Sequence, residues 1–277
     1  MRKLVVFLLT IALTAMVNVT MVSASTVEIT TEDKIEYLIS QGIPEDFLND
    51  KETQDIDDIY ASYYGKTVEY LGTETVSLTE TADPSDISLL GVIPSDDMML
   101  KITKVNVYDA SSTSSSYFRI IETDVYVDYR WYNGKPFFRL TDAVSVNWDS
   151  SIFLLKPNSF QSTDYLSSSI GDQTNWIVTN TSSDPEQLNQ GGLGYSIKMG
   201  SSPNFSTVQK GTAKFTLQPR SNIYSGKTRH TSINVEYVHN QSLFNTLTIA
   251  KDGLGVTINL SGMKDSVAKP LTFDYSV

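Results

Sequence analysis

Val125-Tyr126-Val127-Asp128-Tyr129-Arg130-Trp131 is the stretch of sequence that decides the fold. Every second residue from Val125 to Trp131 is apolar or aromatic, and the residues between them include Asp128 and Arg130. Successive side chains of a β-strand point to opposite faces, so this alternation predicts a strand with one buried face. Asn133-Gly134 follows directly and is a strong signal for a hairpin turn. We therefore expect antiparallel strands in this part of the chain.

The same two-residue period recurs along the chain from Thr67 onward. Four later strands are predicted by alternating apolar residues: Val144, Val146 and Trp148; Ile233, Val235 and Tyr237; Val256, Ile258 and Leu260; and Leu271, Phe273, Tyr275 and Val277. Asp252-Gly253 and Ser261-Gly262 offer turns between the last of these strands. Short alternating strands with Ser, Thr or Asn on the second face are typical of antiparallel sheets. The sequence therefore predicts a mainly β protein, with an antiparallel β-sandwich over residues 67–277. Within it, 164–194 is either an elaborated loop or a junction between halves.

Residues 25–66 are the only part of the chain with a helical period. Ile35, Leu38 and Ile39 fall at i, i+3 and i+4, and Gly42 ends this first helix. A second helix is expected to begin near Asp50. The sequence thus predicts a short N-terminal two-helix hairpin with acidic residues on its outer side. These acids are Asp50, Glu52, Asp55, Asp57 and Asp58.

The first 24 residues have the pattern of a secretory signal peptide. Arg2 and Lys3 form a basic start, Leu4–Val17 is almost wholly apolar, and Val22-Ser23-Ala24 places small residues at a cleavage site. We expect cleavage between Ala24 and Ser25. The remaining chain is then predicted to be secreted and extracellular, or loosely associated with the cell wall.

Composition excludes several classes of function. The 277 residues include 21 Lys plus Arg and 32 Asp plus Glu, which gives a net charge of −11. A chain this acidic is repelled by nucleic acid, so no nucleic-acid partner is expected. The absence of cysteine excludes disulfides, thiolate metal sites and a cysteine nucleophile. No second apolar stretch reaches the roughly 18 residues of a membrane helix, so no transmembrane segment is expected after signal cleavage.

No metal or cofactor is predicted. The two histidines, His230 and His239, are nine residues apart, and an odd separation places them on opposite faces of a continuous strand. The cluster Gly191-Gly192-x-Gly194 precedes no helical pattern, so it is interpreted as a flexible turn and not as a phosphate-binding loop. No G-x-S-x-G nucleophile motif is present.

Paired carboxylates are the one catalytic arrangement that the sequence leaves open. Glu122 and Asp124 point to the same strand face, with α-carbons roughly 6.6 Å apart. Their carboxyl groups fall within the roughly 5–9.5 Å separations that glycosidases use. A hydrolase would use these two residues or Asp142. The alternative is that these acids solvate an exposed face and meet Arg119 or Arg130 across the sheet.

Aromatic side chains are concentrated in the middle of the chain and suggest a ligand contact. Trp131 and Trp148 lie on faces that carry valines, so they are expected in the core. Trp176, in a polar segment, is the strongest exposed candidate, and Tyr126 and Tyr132 are the other predicted ligand-binding residues.

Three segments carry a resemblance to a known group of proteins. They are Val125–Trp131, the pattern Thr141-Asp142-x-Val144-x-Val146-x-Trp148, and the helical opening Gly42–Leu48. Together they resemble uncharacterised secreted β-rich proteins of Gram-positive bacteria. The resemblance implies export and a β-rich fold, and it transfers no activity and no catalytic residue.

The leading functional hypothesis is a secreted, non-enzymatic binding protein whose partner is a glycan or a surface protein. Its contact surface is expected in loops at the ends of the sandwich, 81–97 and 164–194. One alternative is a carbohydrate-active hydrolase that uses paired carboxylates. A second alternative is a membrane-active β-protein, because Ser- and Thr-rich strands such as 111–121 occur in proteins that insert amphipathic hairpins.

Overall fold

The chain forms three helices and fifteen strands within the residues that the computed structural model describes. The described residues are 29–76, 98–109, 119–132, 141–167, 175–198, 208–221, 223–224, 231–240, 246–261 and 264–271. The helices are α1 (Thr31–Ser40), α2 (Glu45–Asn49) and α3 (Thr53–Tyr63). The strands are β1 (Thr67–Val76), β2 (Met98–Tyr108), β3 (Arg119–Trp131), β4 (Thr141–Trp148), β5 (Phe153–Leu155), β6 (Gln161–Ser167), β7 (Trp176–Ser182), β8 (Gln187–Asn189), β9 (Gly192–Lys198), β10 (Val208–Pro219), β11 (Ile223–Tyr224), β12 (Ile233–Asn240), β13 (Thr246–Asp252), β14 (Gly255–Ser261) and β15 (Lys264–Leu271).

Two antiparallel sheets pack face to face. The larger sheet has the order β1-β2-β3-β10-β6-β7, with β11 beside β3 and β5 beside β10. The smaller sheet has the order β15-β12-β4-β9-β8. Apolar residues from the inner faces of both sheets form one continuous core. The prediction of a mainly β, antiparallel sandwich is confirmed.

β3 lies in the middle of the larger sheet, and its two faces differ as the alternation predicts. Val125, Val127, Tyr129 and Trp131 are buried in the core between the sheets. The strand partners of β3 are β2 and β10, while β4 lies in the smaller sheet. β3 and β4 are therefore not paired with each other, and the hairpin turn predicted at Asn133-Gly134 lies outside the described residues. The connection instead carries the chain to the other sheet, where the apolar face of β4 can pack against that of β3.

The stretch 164–194 is mostly strand and not loop. β7 is the edge of the larger sheet and β8 is the edge of the smaller one, so the chain crosses between the sheets at 183–186. The glycine cluster interpreted as a flexible turn leads into strand β9. A methyl group at Gly194 would overlap the Ile249 side chain and lie 2.9 Å from Val256 Cγ1. The glycine is needed because another strand layer approaches closely there.

That layer is the hairpin β13–β14, which packs on the outer face of the smaller sheet. Its residues Ile249, Val256 and Ile258 form a small cluster with Ala143 and Val238. The predicted turn at Asp252-Gly253 joins these two strands, and Gly253 has a φ of +56°. The second predicted turn, Ser261-Gly262, does not join two paired strands, because β14 pairs with β13 and β15 pairs with β12. The expected strand positions 273, 275 and 277 lie outside the described residues.

The helices cover the outer face of the larger sheet, and we call α1–α3 the helical cap. A capping box begins α1: the Asp33 amide donates to the Thr30 hydroxyl at 3.2 Å. Gly42 and Gly65 have positive φ values and end α1 and α3. The prediction of two helices missed α2, and the last helix begins at Thr53 instead of Asp50. The apolar faces of the cap pack on Val105, Val107 and Tyr126 of the sheet.

Candidate functional site

Charged residues line the sheet face beneath the helical cap. The register aligns Lys101, Asp128 and Thr212 on neighbouring strands, and Arg130 and Lys210 in the next row. These charged residues lie on the polar face of each strand. The apolar alternation that predicted the strands therefore gives no information about them. This face is therefore a charged surface that the cap must match.

The acids of the cap provide that match. Asp50 pairs with Lys101 and Glu52 pairs with Lys210. Lys51, from the same segment, pairs with Asp128 of β3. The expectation that these acids lie on the outer side of the hairpin is wrong for Asp50 and Glu52. Charged side chains taken out of water need partners, and the lysines of the sheet supply them.

Asp55 also faces the sheet. Its carboxylate accepts a hydrogen bond from the Tyr165 hydroxyl at 2.9 Å. Burial raises the pKa of the Asp55 carboxyl above its usual value, although Lys51 and the Tyr165 hydroxyl oppose the rise. Burial likewise lowers the pKa of the Lys210 ammonium, opposed by Glu52. Both shifts have the same cause, which is the partial removal of these charged groups from water beneath the cap.

At one end of this face, aromatic rings and cations form a cluster that we call the aromatic–cation patch: Tyr132, Trp176, Arg130 and Lys210. The Arg130 guanidinium carbon lies 5.6 Å from the centre of the Tyr132 ring and 5.6 Å from that of the Trp176 ring. The Lys210 ammonium lies 4.5 Å from the centre of the Trp176 ring. Two of the three predicted ligand-binding residues, Tyr132 and Trp176, therefore lie beside the same guanidinium, although 44 positions separate them in sequence. Cation–π contacts of this kind hold aromatic rings in fixed orientations.

Tyr126, the third predicted ligand-binding residue, lies away from the patch. It is 2% exposed beneath the helical cap, and its ring packs edge-on against Phe47. Its hydroxyl is 2.8 Å from the Tyr63 hydroxyl of α3. The polar strand face on which it lies is covered, so this ring cannot stack on a ligand at the surface.

The three carboxylates proposed for a hydrolase do not converge. Glu122 and Asp124 share the outer face of β3, and each has a lysine partner: Lys156 at 2.5 Å and Lys214 at 3.2 Å, respectively. Asp142 is on β4 in the other sheet and is completely buried. The larger sheet therefore separates Asp142 from the other two.

Asp142 belongs to a buried polar network between the sheets. Its carboxylate accepts a hydrogen bond from the Tyr237 hydroxyl at 2.5 Å and lies 2.8 Å from Nδ1 of His239. The Trp131 indole donates to the Tyr237 hydroxyl at 3.2 Å. No role for His239 was predicted from the sequence, and the residue is 2% exposed. Its position two residues after Tyr237, on the same strand face, was the signal that could have placed it in the core.

A groove beside the cap lies between α2 and strands β1 and β2. Its volume is about 290 Å³, and carboxylates, hydroxyls and two aromatic rings line it: Asp46, Asp50, Asp128, Thr73, Thr75, Thr103, Phe47 and Tyr70, with Pro44 and Lys101. Two of these carboxylates, Asp50 and Asp128, are already engaged by lysines of the protein itself.

Several sequence predictions fall on residues that the structure does not describe. They include the signal peptide, His230, the loop 81–97 and most of the stretch 111–121. Among the described residues, no three histidine or carboxylate side chains are grouped so that they could hold a metal ion. No described helix has the length and apolar composition needed to cross a bilayer.

Comparison with solved structures gives a distant similarity. No protein-family model matches the chain, and no curated protein matches it. The chain is similar to the solved KRT10-binding region domain of the pneumococcal serine-rich repeat protein PsrP, with 10% sequence identity. The similarity covers 62% of this chain and 87% of that chain, with a TM-score of 0.25. A TM-score this low reflects a coarse likeness, and it assigns neither a ligand nor a function.

Proposed function

We propose that the protein is a non-enzymatic binding protein that acts at or outside the cell surface and holds a glycan or a surface protein at the aromatic–cation patch. One observation carries the proposal: the rings of Trp176, on β7, and Tyr132, which directly follows β3, both have their centres 5.6 Å from the Arg130 guanidinium carbon. Tryptophan, tyrosine and arginine are the side chains that contribute most to binding energy at protein interfaces. Their placement around one guanidinium supports a contact surface at this end of the sandwich.

The patch is also preorganised. Lys210 lies over the Trp176 ring and is itself paired with Glu52 of the cap. Rings and cations that already hold one another lose little conformational freedom when a ligand arrives. The half-buried Trp176 and Tyr132 still present part of their rings to solvent. The patch therefore combines fixed geometry with accessible aromatic surface.

The hydrolase alternative has less support. Glu122 and Asp124 each have a lysine partner, and Asp142 is buried on the far side of the larger sheet. A glycosidase needs two carboxyl groups that flank one bond of a bound sugar. These three residues do not provide such a pair, and the binding role is preferred for that reason.

The test is a binding screen of the purified protein against cell-wall glycans and host-surface proteins, followed by two substitutions. Trp176→Ala should weaken binding of any hit by about tenfold or more, because it removes a ring that contacts two cations. Tyr64→Ala is the matched control, since this exposed tyrosine lies on the helical cap. Tyr132→Ala provides a second test of binding at the patch if Trp176→Ala disturbs folding. A screen without hits, or binding unchanged by both patch substitutions, would refute the proposal.

Export is tested separately. Residues 1–24 have the pattern of a signal peptide, so N-terminal sequencing of protein from the culture medium should begin at Ser25. Protein that stays inside the producing cell with Met1 retained would contradict the extracellular role.

A further inference from the structure

β7 forms one edge of the larger sheet. No other described strand pairs with its outer side. Ile177 is 64% exposed and Val178 is 44% exposed, and these neighbours point to opposite faces of the strand. An edge strand with exposed apolar residues on both faces is a template for pairing with another strand.

The other three edge strands of the two larger sheets carry features that discourage such pairing. β1 contains Glu69 and Glu74 and has an irregular register at Gly72. β8 is only three residues long. β15 contains two lysines and Pro270, and proline cannot donate a ladder hydrogen bond. These are the usual protections of natural edge strands.

β7 has fewer of these protections. The sequence from Trp176 to Ser182 contains no charged residue and no proline. Its one irregularity is an extra residue, Thr179, where the register with β6 shifts. Thr179 is exposed, and its hydroxyl donates to the Asp164 carbonyl at 3.1 Å. Three regular residues remain on each side of it.

Charge differs between the two ends of β7. At the Trp176 end, the Arg130 guanidinium carbon lies 5.6 Å from the centre of the indole ring, whereas the buried Lys210 is already paired with Glu52. Beyond the Ser182 end, Asp184 and Glu186 are both exposed. An antiparallel neighbour with the same sequence would therefore place its acidic end beside the basic end of this strand. Two copies would be complementary here, although the whole chain has a net charge of −11.

We infer that a second copy of this chain pairs with β7 in antiparallel fashion, so that the two larger sheets join into one. The two-fold axis passes near Thr179 and perpendicular to the sheet. The segment 176–178 of one copy lies beside 180–182 of the other, and both backbone edges gain hydrogen bonds. This contact uses the same surface on both copies, as a two-fold dimer requires.

The dimer deepens the proposed function, and this consequence rests on it. A two-fold axis perpendicular to the sheet keeps the outer faces of both copies on the same side. The two Trp176 residues are then roughly 20 Å apart, from about six residues of extended chain. Two patches on one face would bind a repetitive glycan or a crowded surface with avidity.

The test measures the mass of the purified protein by light scattering and sedimentation over a wide range of concentrations. Wild-type protein should have twice the mass of one chain. Ile177→Lys should give the single-chain mass, because a lysine on an edge strand blocks strand pairing. Ile39→Lys is the matched control, since this isoleucine is 41% exposed on α1 and should leave the dimer intact. Circular dichroism checks that both variants are folded.

A second variant locates the contact. The chain has no cysteine, so Thr179→Cys introduces a single thiol at the predicted axis. Under mild oxidation it should form a covalent dimer. A monomeric wild-type protein at all concentrations would overturn the inference, even if it bound an extended peptide of another protein at β7. A dimer that neither responds to Ile177→Lys nor crosslinks through residue 179 would overturn it too. If Ile177→Lys abolishes the dimer but leaves ligand binding at a single patch intact, the dimer and the proposed binding function are tested independently.

Discussion

The hydroxyl of Tyr63, on α3, lies 2.8 Å from the hydroxyl of Tyr126, on β3, and both rings are buried. Burial raises the pKa of each phenol well above its usual value, so both remain protonated at any physiological pH. The pair joins the helical cap to the middle strand of the larger sheet. The cap and the sandwich therefore make both an apolar contact, between the buried rings, and a polar contact, between the hydroxyls, at this pair.

Removing one hydroxyl of this pair should destabilise the protein. Tyr126→Phe deprives the buried Tyr63 hydroxyl of this partner, and the free energy of unfolding should fall by about 1–3 kcal/mol. Urea denaturation followed by circular dichroism measures the change. Tyr64→Phe, at a residue that is 62% exposed, should change stability little. If the two variants proved equally stable, the hydrogen bond would contribute nothing to holding the cap.

Breaking the ion pair between Lys51 and Asp128 should cost more. The Lys51 side chain is 2% exposed, and its ammonium also lies 4.7 Å from the centre of the Phe47 ring. Lys51→Met leaves the Asp128 carboxylate without its main partner, so the free energy of unfolding should fall by about 3–5 kcal/mol. Adding Asp128→Asn should restore a large part of this loss, because the uncompensated charge is then removed.

Lys34→Met is the control for that experiment. Lys34 pairs with Asp57 at 2.7 Å on the more exposed side of the cap. Exposed pairs of this kind contribute about 1 kcal/mol or less. Equal losses for the Lys34 and Lys51 variants would show that the charged surface under the cap is effectively solvated.

The faces of individual strands could be predicted from the sequence, whereas their partners could not. Val125 and Trp131 are buried where the alternation places them, because a two-residue period is a local property of the chain. Whether β3 pairs with β4 or with β10 depends on contacts more than 80 residues apart, such as Phe215 beside Val125. Asn133-Gly134 suggested that β3 pairs with the next strand along the chain, whereas β3 pairs with the distant β10.

The candidate site was predictable in part for the same reason. Trp176 and Tyr132 were identified as single aromatic residues, but only the sheet order brings both of them to Arg130. Tyr126 alternates with the core residues and therefore looked solvent-facing. It is covered because the outer face of the larger sheet packs against the helical cap. No local sequence pattern in β3 predicts that helices cover this face. Likewise, the charge partners of Asp50 and Glu52 lie on distant strands.

Alanine at Gly194 should loosen the contact between the smaller sheet and the β13–β14 hairpin. The added methyl would overlap Ile249 and lie 2.9 Å from Val256 Cγ1, so the hairpin must shift. The expected loss is about 1–3 kcal/mol of unfolding free energy, which is typical of overpacking. Ser196→Ala, two residues further along β9, should be nearly neutral. Limited proteolysis should cut the hairpin faster in the glycine variant, and an unchanged rate would argue against close packing.

Asp164 should make stability depend on pH near neutrality. Burial raises the pKa of its carboxyl from 3.8 to about 6, although hydrogen bonds from Tyr129 (2.9 Å) and Asn180 (3.2 Å) oppose the rise. Because the folded state binds this proton more tightly than the unfolded chain, the neutral form's contribution to stability is complete below pH 3.8 and is lost as the pH rises through about 6. A shift of this size corresponds to about 3 kcal/mol.

Asp164→Asn isolates this contribution, because asparagine does not titrate. The free energy of unfolding of the variant, minus that of the wild type, should increase by about 2–3 kcal/mol between pH 4 and pH 7.5. Denaturant melts at several pH values measure this difference directly. Asp252→Asn, at an exposed position on the β13–β14 hairpin, should show no such trend. A pH-independent difference for Asp164→Asn would mean that water reaches this carboxylate and that its pKa is close to that of the unfolded chain.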